Sequence, residues 1–104
     1  MNEYKIDFAA LAWQSPAPGL RQKVYRQGDR QIRLLEFARG FVEPDWCARG
    51  HLGYLLEGRL EINFLGAKVS YGPGEGIYIP AGPEHRHKAA ALTDTALLVL
   101  VEEV

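Results

Sequence analysis

Apolar and polar positions along this chain alternate in short runs, broken by glycine or proline about every ten residues. Alternation with period two marks a half-buried strand. Runs this short and this regularly broken predict an all-β barrel or sandwich. Two runs, Lys23–Arg26 and Gln31–Phe41, flank a turn at Gly28-Asp29. Glu43-Pro44-Asp45 then breaks the pattern. A long β-rich segment follows from His51 to Phe64, with Gly58 in its middle, and Gly66-Ala67 turns the chain back into Lys68–Tyr71. After the glycine-rich link GPGEG comes a short apolar strand, Ile77–Pro80. A threonine-aspartate turn leads into the strongly apolar last strand, Ala96–Val101, and Glu102-Glu103 reads as a solvated end. Residues 1–20 read as an extended N-terminal arm, because the prolines and glycine of QSPAPG exclude a helix interior and a central strand. Helical spacing occurs only over Lys5–Leu11, and those prolines cut it short.

Length and charge narrow the picture. At 104 residues, 1–104 read as a single domain with no linker and no solenoid repeat. A domain this small buries only about 60–70% of its unfolded surface. With an apolar arm and an apolar last strand leaving edges to cover, a homodimer is expected. The formal net charge of −1 gives no reason to expect nucleic acid or an anionic membrane as partner. No apolar run reaches the ~18 residues of a membrane-spanning helix. The chain has one cysteine, which excludes an internal disulfide, and its start, MNEYKIDFAALAWQ, lacks the pattern of a signal peptide. A cytoplasmic protein is therefore expected.

The chemistry concentrates in two places. The single cysteine, Cys47, lies four residues before His51, one of three histidines. If residues 45–55 are extended, Asp45, Cys47, His51, Gly53 and Leu55 share one face. By the same rule His85 and His87 share a face later in the chain. Two such strands side by side would gather a carboxylate, a thiol and three imidazoles, a donor set suited to a transition metal.

The segment GPGEGIYIPAGPEHRHKA, residues 72–89, resembles the second cupin motif, G-x5-P-x-G-x2-H-x3-N. Gly74, Pro80, Gly82 and His85 fall on its fixed positions, and Ala89 replaces its final asparagine. Residues 40–58 resemble the first motif, G-x5-H-x-H-x3,4-E-x6-G, in degenerate form. Gly58 matches the last glycine, His51 occupies the glutamate position, and Asp45 and Cys47 occupy the two histidine positions. The leading glycine is met by Gly40 with a slip of one residue. The resemblance implies a double-stranded β-helix, the cupin jelly-roll barrel, with its site inside and a dimer as the common assembly. It also implies a divalent transition metal. Cys47, His51 and His85 would be three ligands with an open position, and His87 or, as the weaker candidate, Asp45 would complete or orient the set. A thiolate and imidazoles make that set softer than three histidines and a glutamate, favouring Zn, Fe, Ni or Cu over Mn.

Each residue also has a plainer role. Cys47 can be a small buried hydrophobe, His51 a turn cap, His85 an exposed turn residue, His87 a solvent-facing one and Asp45 a turn former. Trp46 and Tyr54 suit outer packing or a dimer contact. Three functions stay open. One is a metal-dependent enzyme on a small molecule, of dioxygenase, isomerase or lyase type. Another is a non-catalytic sensor or carrier of a small ligand or metal. The third is a metal-free epimerase using a histidine and a tyrosine. Tyr25, Arg33, Glu36 and Tyr78 are further candidates for acid, base or anchor.

Overall fold

Period two becomes nine antiparallel strands in the computed structural model, which describes residues 4–104. They are β1 (Gln14–Ala17), β2 (Leu20–Gln27), β3 (Arg30–Ala38), β4 (His51–Glu57), β5 (Leu60–Phe64), β6 (Ala67–Tyr71), β7 (Gly76–Ile79), β8 (His87–Ala91) and β9 (Thr95–Glu103). Six form one sheet in the order β1-β2-β3-β9-β4-β7, and three form a second, β6-β5-β8. This is the two-sheet jelly roll that the resemblance implies.

The lead-in is extended only in part, and residues 1–3 of the expected arm lie outside the described residues. Phe8–Ala10 make one 3-10 turn instead of a helix, with the Asp7 carboxylate accepting from the Ala9 N–H at 3.1 Å. Gln14–Ala17 then pair with β2 as an edge strand, the place where Pro16 leaves no ladder bond unmade. The segment from His51 to Phe64 is two strands, split at Gly58. That residue has φ +79°, and a Cβ there would collide with the Thr95 carbonyl oxygen, so the motif's glycine is a steric requirement.

The inward face of each strand carries the core. Leu35 and Phe37 on β3, Leu55 on β4, Leu60 and Ile62 on β5, Ile77 and Ile79 on β7, Ala89 on β8 and Ala96, Leu98 and Leu100 on β9 form one buried cluster. At one end of the barrel the same face turns polar. The alternation that buries Leu35 and Leu98 continues to Gln31 and Arg33 on β3, Glu102 on β9, His51 on β4 and His87 on β8. Gln31, His51, His87 and Glu102 are the buried polar residues among those described. Burying them without partners would be costly, so the fold must pair them or use them. Among the described residues no helix is long and apolar enough to cross a membrane.

Candidate metal centre

Backbone pairing sets the first two groups side by side. Cys47 lies outside any strand, yet its N–H donates to the His87 carbonyl and the His87 N–H donates back, each at 2.9 Å. His51 enters from the first position of β4 on the same inward face. One donor atom from each of Cys47, His51 and His87 lies within 4.8 Å of the other two. Cys47 Sγ is 3.7 Å from His51 Nε2, and the two imidazoles meet edge to face with centroids 5.0 Å apart.

The far side of each imidazole is anchored. His51 Nδ1 is 2.6 Å from Glu102 Oε2. His87 Nδ1 donates to the His85 carbonyl at 3.1 Å, which leaves Nε2 as the lone-pair nitrogen. That Nε2 is buried and has no hydrogen-bond partner. Glu102 is held in turn by the Gln31 amide at 2.6 Å and by Arg33, whose Nη2 donates to Oε2 at 3.2 Å and whose Nε lies against Oε1. The cluster opens on a cavity of about 280 Å³ whose floor is core, including Leu60, Ile62 and Leu98.

Charge organises this end of the barrel. The hydrogen bond from His51 and, next, the neighbouring His87 imidazole draw the Cys47 thiol from 9.0 down to about 5, against the opposing effect of burial. Burial alone would lower His51, but the Cys47 sulfur and the Glu102 carboxylate outweigh it and lift the imidazole to about 9. Burial would likewise raise Glu102, yet His51 and Arg33 hold it at about 2. At neutral pH the metal-free cluster is thus a thiolate, an imidazolium and a carboxylate in line. The ultraviolet thiolate absorbance of metal-free protein is expected to titrate near pH 5. His51→Ala should move the midpoint upward by more than one unit. A wild-type midpoint above 8, or one indifferent to His51, would contradict the ion pair.

The sequence-based set is divided by the structure. Cys47, His51 and His87 come together, whereas His85 and Asp45 do not join them. Gly82 (φ +131°) and Pro83 open a 3-10 turn over Pro83–His85. Strand alternation therefore begins only at His87, and the two histidines do not share a face. The His85 side chain is 42% exposed, with Nε2 3.8 Å from Glu84 Oε1. Asp45 is exposed before the bridge at Cys47. Of the further candidates only Arg33 lines the cavity. Glu36 pairs with Arg21, Tyr25 donates to Gln27 and Tyr78 is 75% exposed.

Two carboxylates belong to the site that the sequence reading left outside it. Glu102 is buried, not a solvated end. Period two through Ala96, Leu98 and Leu100 points to it once β9 is extended past Val101. Glu43 lines the cavity, accepts from the Ala89 N–H at 2.9 Å, and is raised above the usual carboxylate range by burial. It sits in a Pro-bearing break, where no periodicity marks it.

Comparison with known proteins agrees with the fold. The family model described as "Cupin domain" matches residues 43–101. The structure of KdgF from Halomonas sp. is similar with TM-score 0.75 and 27% identity, over 88% of this chain and 86% of that one. A sugar phosphate isomerase of the cupin superfamily from Silicibacter pomeroyi is similar with TM-score 0.79 and 17% identity, over 96% and 75%. The polyketide cyclase RemF from Streptomyces resistomycificus is similar with TM-score 0.77 and 20% identity, over 95% and 78%. The last two likenesses concern the fold alone. No curated protein matches by sequence.

Proposed function

The chain belongs to the cupin domain family, and on that premise we propose that it holds a divalent transition metal between Cys47, His51 and His87 and acts there on a small molecule. The observation that carries this reading is the buried, unpartnered Nε2 of His87 facing a thiol and a second imidazole. Buried polar atoms in folded proteins have partners, and a nitrogen left with a free lone pair beside sulfur and imidazole suits a metal. Both imidazoles are anchored through Nδ1, His51 by a carboxylate and His87 by a carbonyl. That is the pattern by which proteins orient metal-bound histidines.

Sulfur with two nitrogens favours Zn, Fe, Ni or Cu. Three protein ligands would leave an open position, and a metal held there would supply Lewis-acid chemistry toward a bound oxygen or water. The chain's own residues do the rest. Glu102 and the His85 carbonyl fix the imidazole rings, Leu60, Ile62 and Leu98 form an apolar floor, and Glu43 presents a partly buried carboxyl able to take or give a proton. Among the described residues that line the cavity none is a tyrosine, so the lining gives the metal-free epimerase reading no support for its second group.

Elemental analysis of purified, untagged protein tests the proposal. About one equivalent of transition metal per chain is the expected result. No bound metal after loading under reducing conditions would refute it. Turnover of a candidate substrate by loaded protein separates an enzyme from a carrier.

The outer face of the large sheet supports reading the protein as a dimer. Tyr78 pairs with Leu52 across β7 and β4, Leu52 with Val101 on β9, and Val101 with Ile32 on β3. These pairings lay an apolar row across four strands, with Tyr78 75% and Leu52 59% exposed. An exposed row of this kind suits a protein contact, and a second copy of the same face is the occupant we propose for it. Light scattering should give a dimer for wild type and a monomer for Leu52→Arg/Tyr78→Arg. An unchanged mass in the double variant would count against this face.

A further inference from the structure

Strands β1 and β2 extend the large sheet past β3, and beyond Leu20, which packs against the core, their inward face turns largely polar. Alternation puts Gln22, Val24 and Arg26 of β2 on that face, beside Gln31 and Arg33 of β3. With Gln14 of β1 and Arg49 from the segment before β4, they line a groove of about 460 Å³. Arg33 and Arg49 line both this groove and the cavity of the Cys47–His51–His87 cluster, so the groove leads to that site. The chain as a whole carries a formal net charge of −1, yet the groove is lined by three arginines and no acid.

We propose that this groove binds an organic oxyanion, a carboxylate or phosphate of a polar small molecule, gripped by Arg49 and Arg26 at the entrance to the cavity. Hydrogen-bonding capacity supports this chemistry. Arg33 is neutralised by Glu102 and also donates to Gln22 Oε1 at 3.0 Å. Arg26 donates through Nη2 to Gln31 Oε1 at 3.2 Å and has no carboxylate partner among the described residues. The Arg49 guanidinium has no side-chain partner among the described residues. The glutamine carbonyls of Gln22 and Gln31 are therefore already occupied. What faces the groove is rich in N–H donors and poor in acceptors, and two positive charges lack a counter-charge among the described residues. A carboxylate or phosphate is the complement: it only accepts, it is anionic, and its paired oxygens match the guanidinium fork. Gln14 and the Gln22 amide suit hydroxyls beside that charge. The assignment of this ligand as substrate rests on the proposed site of chemistry in the cavity, whereas the groove's affinity for anions does not.

The test is a titration followed by NMR of the backbone and arginine Nε–H signals at low ionic strength, using D-galacturonate, D-galactose 6-phosphate and neutral D-galactose. It is run on wild type, on Cys47→Ala and on Arg26→Gln/Arg49→Gln. At least one anionic probe should bind saturably, shifting the Arg26 and Arg49 signals, while galactose does not. The winning probe identifies carboxylate or phosphate as the recognised group. Affinity should fall at least tenfold in the double arginine variant and more than twofold on raising the salt. Binding retained in Cys47→Ala keeps the groove assignment even if the metal reading fails. No saturable shift with either anion, equal binding of galactose, or full affinity in a folded double variant would overturn the proposal.

Discussion

Replacing Cys47 or His87 by alanine is expected to strip the barrel of metal, while His85→Ala keeps it. Each of the first two changes removes one of three donor atoms that lie within 4.8 Å of one another. Disturbing only the groups that orient metal ligands already weakens binding by about 10–100-fold. Loss of a ligand itself should exceed the upper end of that range, taking occupancy from near one equivalent to background. The contrast with His85 carries the argument, because the resemblance to the second cupin motif assigned the ligand role to His85. In the structure its side chain is 42% exposed beside Glu84, and its backbone carbonyl, which the substitution leaves in place, holds His87. Retention of metal in His87→Ala together with its loss in His85→Ala would reverse the assignment.

The second large effect concerns stability. Glu102→Ala should destabilise the metal-free protein by about 3 kcal/mol, the range for removing one partner of a buried ion pair. The melting temperature should fall by roughly 10–25 °C. The Glu102 carboxylate is fully buried and is the shared partner of Arg33, His51 and Gln31. Without it the partly buried Arg33 and the imidazolium of His51 face each other's positive charge. Arg33→Met/Glu102→Leu should recover most of the loss, since removing both charges removes the imbalance.

The pH dependence has a definite sign. Glu102 is lowered from 4.5 to about 2, so its contribution is fully present above pH 4.5 and is lost as pH falls through about 2. His51 is raised from 6.5 to about 9, so its contribution is fully present below pH 6.5 and is lost as pH rises through about 9. The difference between wild type and Glu102→Ala should therefore be largest between pH 4.5 and 6.5 and should shrink on both sides. Thermal unfolding across pH 2–9 measures it. A difference that stays constant through that range would show that the pairing is not the cause.

Much of the fold was legible because glycine and proline mark backbone geometry directly. Gly58, Gly74 and Gly82, three fixed positions of the cupin motifs, all have positive φ, at 79°, 88° and 131°. Side chains other than glycine rarely adopt that region, so the motif is written in the backbone as well as in the chemistry. Cys47 and His51 were legible as a pair from their residue types and spacing, although it is the isolated bridge of Cys47 to His87, not strand alternation, that brings the sulfur to the site. Counting by alternation failed at His85 and His87, since a 3-10 turn over Pro83–His85 resets the alternation. The role of Glu102 was hidden by its place near the chain's end, although it continues the inward series of β9. Glu43 and Arg49 lie outside the strands, in segments without periodicity, and only tertiary packing brings them to the cavity.

The most direct test of the central claim is X-ray absorption at the zinc edge of zinc-loaded protein. A thiolate with two imidazoles predicts a sulfur shell at about 2.3 Å and nitrogen at about 2.0–2.1 Å, with the sulfur shell absent in Cys47→Ala. A first shell of nitrogen and oxygen alone in wild type would contradict the account and leave Cys47 outside the metal site.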